Sequence, residues 1–395
     1  MKSFLIPKLT RLLGAVGIAA MLVACTGMPV SPTVAPTYFL SVQDGRAGLI
    51  DGKPVVRNAA DSLAVVELSN GRMRVVHQLP VPTSLVGPPS SIAVAPGGRM
   101  ALVTASTQRD PADANKVVPY DLVSVVALDP TGQAAPRVVA SLHTGLGAAG
   151  VSINRDGTLA LVANRVEGSI SVLAIDGLQV RVADKLSLGA KSGPAHVAFT
   201  PDGRQALVSR DDHRISLLEV NGQTVKLGQR ELAAGLRPYG LDVSPDGAWA
   251  AVTNLGMVQG DADTISLIDL KAQPPRVVDT VTVGQTPEGV FFSPDSSRVG
   301  VSVIDGSNKA QTSPFFGTAH YRQLRVTDGR LVPVAKLRGG QWLQGHAFST
   351  DGQSVLLQDA ANRQLRLYRA EGDTLVDTGE RLQFDGAPCA LVRWR

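Results

Sequence analysis

The sequence predicts an all-β protein, a seven-bladed β-propeller of four-stranded antiparallel blades, closed by pairing of the C-terminal strand with N-terminal strands. Three observations predict it. A strand-and-turn motif recurs six times, each copy is followed by material for three further strands, and the two ends of the chain together hold the pieces of a seventh unit. With 44% hydrophobic and 18% charged residues, the 395-residue chain carries enough apolar material for a large core, which excludes disorder as its dominant state.

The strongest copies of the motif are PAHVAFTPDG from Pro194, PYGLDVSPDG from Pro238 and PEGVFFSPDS from Pro287; weaker ones begin at Ser91, Gly150 and Gly345. Each alternates apolar and other residues over one short strand and then reaches a tight turn. Proline presets φ at the first central position, aspartate or asparagine suits the turn, and glycine takes the left-handed position after it. Second strands such as Trp249–Thr253 follow. Third strands read SISVLAI from Ser169, RISLLEV from Arg214 and TISLIDL from Thr264. Asp176-Gly177, Asn221-Gly222, Asp328-Gly329 and Glu371-Gly372 then mark a two-residue turn into a fourth strand. A single sheet of this kind cannot bury both faces, and stacking sheets around an axis does so.

The count closes at the termini. Residues 387–394 match the opening strand of a repeat and the sequence stops there, while Tyr38–Val42, Ser62–Leu68 and Met73–Leu79 supply three strands with no opener before them. Joining them removes the exposed sheet edges and locks the ring.

These units resemble the YVTN-repeat, or lactonase-like, seven-bladed propellers, whose repeats read P-x-G-V-x-x-S-P-D-G followed by V-x-N and S-V; here the later pieces are Val252–Asn254 and Ile265–Asp269. The resemblance covers residues 38–395. It implies the fold strongly and the function weakly, because propellers of this kind include lactonases, cyclases, haem-bearing domains and plain binding proteins. No Trp-Asp pair closes a third strand, so the WD40 pattern is absent.

Lys2, Lys8 and Arg11 precede an apolar run, Leu12–Val23, too short to cross a bilayer as a lone helix and suited to a signal peptide. Leu22–Cys25 resembles the lipobox of bacterial lipoproteins. That resemblance implies removal of residues 1–24 and lipidation of Cys25, hence membrane attachment. Thr26, which is not aspartate, implies the outer membrane facing the periplasm. Residues 25–37, with Pro29, Pro32 and Pro36, read as a short tether. Loss of the three leader cations lowers the formal net charge from +4 to +1, leaving no basic block to argue for nucleic acid. Cys389 then stands alone, and C-x-x-C-H is missing, so no covalent c-type haem is expected. No cofactor or metal is expected; the Asp261 and Asp263 pair lacks the spacing of a calcium loop.

In such propellers the inner strand starts at one channel mouth, and the loops between second and third strands lie on the same side. Four of these loops are long: Asp44–Ala60, Ala105–Tyr120, Leu255–Asp263 and Ile304–Ala319. They are the expected holding place for a protein partner or small ligand, with Phe315 and Phe316 as candidate anchors. Residues at the mouth end of the inner strands are Ser91, Gly150, His196, Tyr239, Glu288, Gln344 and Cys389 or Pro388. The lactonase-like resemblance implies a cluster of His, Arg and Glu, with His196 as base, Glu288 as acid and Arg210 as oxyanion partner. Two functions stand open: an envelope-anchored, monomeric binding propeller, and an extracytoplasmic lactonase or related hydrolase acting at the mouth. His346 and Cys389 read as buried core residues.

Overall fold

The computed structural model describes residues 35–395, and the leader, Cys25 and most of the tether lie outside the described residues. The described chain holds seven four-stranded antiparallel sheets and one two-stranded hairpin. Blades 1 to 6 are each contiguous in sequence. Blade 3, for example, runs outward from the axis as Pro194–Phe199, Gln205–Arg210, Ile215–Asn221 and Thr224–Leu232. Blade 7 is composite: the terminal strand Ala387–Arg393 is innermost, followed by Thr37–Asp44, Ser62–Ser69 and Arg72–Pro80.

Closure is tight at the very ends. Phe39 lies opposite Arg393 and Val42 opposite Ala390. The Tyr38 amide donates to the Arg395 carbonyl at 2.8 Å, and the Tyr38 and Trp394 rings meet edge to face at 6.3 Å. Trp394 Nε1 donates to the Gly98 carbonyl at 2.8 Å, tying the closing blade to blade 1.

The core lies between blades rather than at the axis. Seven apolar clusters each draw on two neighbouring blades, as when Leu161 and Val172 of blade 2 pack with Val197 and Val208 of blade 3. Inner strands approach so closely that a Cβ at Gly240 would meet the Glu288 carbonyl oxygen at 2.2 Å, and one at Gly289 the Gln344 oxygen at 2.8 Å. The glycine of P-x-G is therefore a packing requirement.

The turn chemistry is as expected, with an added layer. In the S/T-x-D turns the hydroxyl at the start donates to the aspartate, Ser244 to Asp246 at 2.6 Å and Ser349 to Asp351 at 2.6 Å, and the same carboxylate accepts a backbone amide two residues on. Gly203, Gly247 and Gly352 follow in the left-handed conformation; Ser296 takes it in blade 5 with φ of 62°.

Two of the long segments expected as loops are ordered. Within 44–60 the chain forms a hairpin, Ala47–Ile50 against Lys53–Val56, around Asp51-Gly52 with φ of 45° and 72°. In blade 1 the strands Met100–Arg109 and Val117–Ala127 run on beyond the sheet, leaving only a short tip. The apolar and turn residues of both stretches allowed this pairing, and an Asp-Gly turn between short apolar runs is its signal.

Candidate functional site

A pocket of about 610 Å³ opens at the mouth where the inner strands begin. Its floor combines inner-strand residues Tyr239, Glu288 and Gln344 with Arg165 and Asp211 from the short second-to-third-strand loops of blades 2 and 3. One wall is apolar and comes from the 47–56 hairpin, from Leu85 and Val86, from Val117 and Val166, and from Trp342.

The hairpin is held over the mouth at both ends. At its base Arg46 is buried; its guanidinium meets Asp44 at 3.3 Å and Asp61 at 3.1 Å and donates to the Thr107 carbonyl of blade 1 at 3.0 Å. Burial and the neighbouring Asp44 charge push Asp61 up to about 6. At the tip, Gly52 abuts the backbone of Lys309 and Ala310 in the blade 5 loop, so that a Cβ would meet the Ala310 nitrogen at 2.1 Å. Lys309 Nζ in turn reaches the Val258 carbonyl of the blade 4 loop at 3.3 Å. The long segments of blades 1, 7, 5 and 4 thus join into a crescent rim. Blades 2 and 3, with short loops, form its low side.

The polar cluster belongs to that low side. Arg165 makes a forked pair with Asp211, Nη2 to Oδ2 at 2.8 Å and Nε to Oδ2 at 3.2 Å, and its guanidinium stands 5.1 Å from the Tyr239 ring centroid. Arg237 reaches the same Asp211 at 3.8 Å. Its backbone is held at φ of 55°, with its amide donating to His213 Nδ1 at 3.1 Å and its side chain to the Gly256 carbonyl at 3.3 Å. Two arginines therefore share one aspartate.

Glu288 lies beside them, 7% exposed, and its Oε2 has no hydrogen-bond partner. Burial pushes its carboxyl up to about 8, against the lowering pull of Arg165 and Arg237. At the same register of the next blade, Gln344 is 2% exposed and its Oε1 is likewise unpartnered. Buried polar atoms normally find partners, because an unmatched one costs about 1–3 kcal/mol. Two such atoms on the floor of one open pocket are hydrogen-bonding groups that the protein itself leaves unmatched.

The other residues expected to act sit elsewhere. His196 is one step out of register from Tyr239 and Glu288: it occupies the position of Gly240 and Gly289. Its imidazole turns into the next blade, where Nδ1 accepts the Leu241 amide at 3.1 Å, and burial holds it neutral down to about 3. Arg210 occupies the asparagine position of V-x-N, equivalent to Asn164 and Asn254. There it ties strand ends together, donating to Ser216 at 2.9 Å and Glu231 at 2.5 Å and pairing with Asp212. Phe315 and Phe316 are 47% and 43% exposed, Phe315 against Gly260 in the neighbouring loop and Phe316 in a separate shallow groove with Lys309 and Gln341. His346 is a core residue: its ring packs among Phe291, Tyr321 and Phe348, with Nδ1 3.2 Å from the Ser302 hydroxyl. Cys389 is buried, its thiol pushed up by burial. Arg165, Asp211 and Arg237 were not singled out from sequence. Among the described residues no group of three or more His, Cys, Asp or Glu side chains is placed to hold a metal.

Fold and pocket together define a propeller with an open pocket at one mouth of its channel. A family model described as lactonase, seven-bladed beta-propeller, matches residues 117–238. Solved structures match over nearly the whole fold. Assigned 6-phosphogluconolactonases from Bacteroides uniformis and Bacteroides fragilis each superpose with a TM-score of 0.70 at 15% and 16% identity, covering 91% and 92% of this chain and 99% of theirs. A periplasmic gluconolactonase from Pseudomonas aeruginosa superposes with a TM-score of 0.67 at 17% identity, covering 91% of this chain and 99% of its own. No curated protein matches by sequence. The chain is a seven-bladed β-propeller that resembles the lactonase family model over residues 117–238.

Proposed function

We propose that the protein hydrolyses a lactone at the channel mouth, with Glu288 as the group that moves the proton. The observation that carries this reading is an unpaired carboxyl, raised to about 8, on the floor of an open pocket beside two cations that share a single aspartate. A general base works best when its pKa lies near the operating pH, and a buried carboxyl reaches that range only through desolvation. Nothing in the fold needs such a group there, since Ala149 and Ala195 serve the same strand position in blades 2 and 3.

Glu288 takes a proton from water as the water adds to the lactone carbonyl. Arg165 faces the oxyanion that forms, in a site that excludes part of the solvent. Collapse breaks the ring C–O bond, the proton on Glu288 passes to the departing ring oxygen, and the new carboxylic acid releases its own proton to water, leaving a hydroxy acid whose carboxylate meets Arg165 and Arg237. His196 and Arg210 act, in this reading, by holding blades 3 and 4 in register. The lactonase-like family match and the names of the structural neighbours support the substrate class without fixing the particular lactone. The deciding experiment is release of acid from simple lactones by the purified protein. E288Q is expected to lose a factor of 10²–10⁴ in kcat/KM; equal rates in the two proteins would reject the assignment.

We also propose that the propeller works outside the cytoplasmic membrane, attached through lipidated Cys25, from the lipobox at Leu22–Cys25. The neighbour from Pseudomonas aeruginosa, itself periplasmic, is in keeping with that location. Labelled palmitate is expected to enter the wild-type protein in cells and not the C25A variant.

A further inference from the structure

The pocket is two-sided, and its apolar side has no counterpart in the hydrolytic reading. Val86, Val117 and Val166 line it while remaining 52%, 42% and 55% exposed, and Trp342 and Val55 continue the same surface. Among the described residues no side chain of the protein covers these valines. The polar groups on the hairpin side, Asp44, Arg46 and Thr107, are already paired with one another and with Asp61, Ser84 and Leu85, and the unpaired ones lie on the floor. A polyhydroxylated ring bound here would turn some hydroxyls toward a wall whose few polar groups are already engaged, and each desolvated, unmatched hydroxyl would weaken binding. A volume of about 610 Å³ also falls within the range that encloses a drug-sized ligand, far larger than one small ring.

We propose that the physiological ligand is an amphipathic lactone: a small ring with an aliphatic or acyl chain, its carbonyl over Glu288 and its chain along the Val86, Val117, Val166 and Trp342 wall. This rests on the hydrolytic reading for the ring and on the wall alone for the chain. The Trp342 side chain is half-buried against the apolar cluster between blades 7 and 1, its backbone amide donates to the Ser307 hydroxyl at 3.0 Å, and its indole gives a flat face for methylenes. The chain leaves over the low rim of blades 2 and 3 or beneath the 47–56 hairpin, the two sides that Val166 and Val55 mark.

The test uses γ-butyrolactone, γ-hexalactone, γ-octalactone and γ-decalactone against glucono-δ-lactone, with the purified full chain in detergent. Removing apolar area from water strengthens binding by up to about fourfold per methylene, and less where the wall is half open. We expect kcat/KM to rise about tenfold from γ-butyrolactone to γ-octalactone, with glucono-δ-lactone poorest. In V86N/V166N, both changes lying on exposed positions, the ratio of decalactone to butyrolactone efficiency is expected to collapse toward one. A second readout is independent of turnover: quenching of tryptophan fluorescence in E288Q by the same lactones, with W342F as control, is expected to tighten with chain length. Tightening without any hydrolysis by wild type would defeat the hydrolase and leave the amphipathic ligand standing. Hydrolysis of glucono-δ-lactone at least as fast as that of the alkyl lactones, or affinity that ignores chain length, would overturn the inference while leaving the hydrolase intact.

Discussion

Glu288 destabilises the fold in its charged form, and that makes its presence testable by stability as well as by rate. Its carboxyl is raised from 4.5 to about 8, so between those values the native state binds more protons than the unfolded chain. Stability therefore falls as pH rises through this window. E288Q removes the effect, and at pH 7 we expect it to be more stable than wild type by on the order of 3 kcal/mol in urea unfolding, with a flatter pH dependence. Asp242, raised to about 7 by burial, contributes a slope of the same sign up to that pH and persists in the variant. Gain of stability with loss of activity is the mark of a functional group held against its preference.

The arginines give a sharper test at the same scale. Asp211 partly neutralises Arg165, which in turn favours the charged form of Glu288. In D211N the freed guanidinium acts more fully on Glu288, and the midpoint of the pH–rate profile is expected to move below 8. R165M is expected to move it above 8 and to lower kcat/KM as well. Movement in the same direction for both variants would break the coupling argued here. Glu288 and Gln344 were legible in sequence because each stands directly before the glycine that marks the inner-strand register, in Pro287-Glu288-Gly289 and Leu343-Gln344-Gly345. Arg165 was not: it follows V-A-N like any loop arginine, and its significance depends on Asp211 and Tyr239, contributed by two other blades.

At the scale of elements, sequence carried the turns and strands well and the site one position out for His196. A single-residue slip along a strand reverses the direction of a side chain, so His196 aligned with glycine positions rather than with Glu288. The local turn rule makes a plain prediction: Gly203 has φ of 69° and open space around a Cβ, so G203A is expected to cost about 1 kcal/mol from backbone strain alone. The 47–56 hairpin was missed as structure although Asp51-Gly52 announces it, because its partner is the pocket rim rather than a blade. Replacing residues 47–56 by a short glycine linker is expected to raise KM severalfold with a smaller effect on kcat, measured with the lactone that wild type hydrolyses best. The hairpin supplies wall and not proton transfer.

For the whole molecule, closure is what places Glu288, Arg165 and the hairpin around one mouth. Blades 2 to 6 supply the polar floor, while the hairpin springs from blade 7, whose inner strand is Ala387–Arg393. W394A removes the edge contact with Tyr38 and the bond to Gly98, and about 2 kcal/mol of stability is expected to go with them. The ring was legible because its repeat is written six times and its ends complement each other. The pocket was less so, since each blade adds one or two residues to it. The central claim is that Glu288 is an unpaired buried acid poised near neutral pH. Infrared difference titration of carboxyl groups, wild type minus E288Q, measures it directly. A carboxyl band disappearing with a midpoint near 8 is the predicted result; ionisation near the ordinary glutamate value of 4.5 would contradict the account.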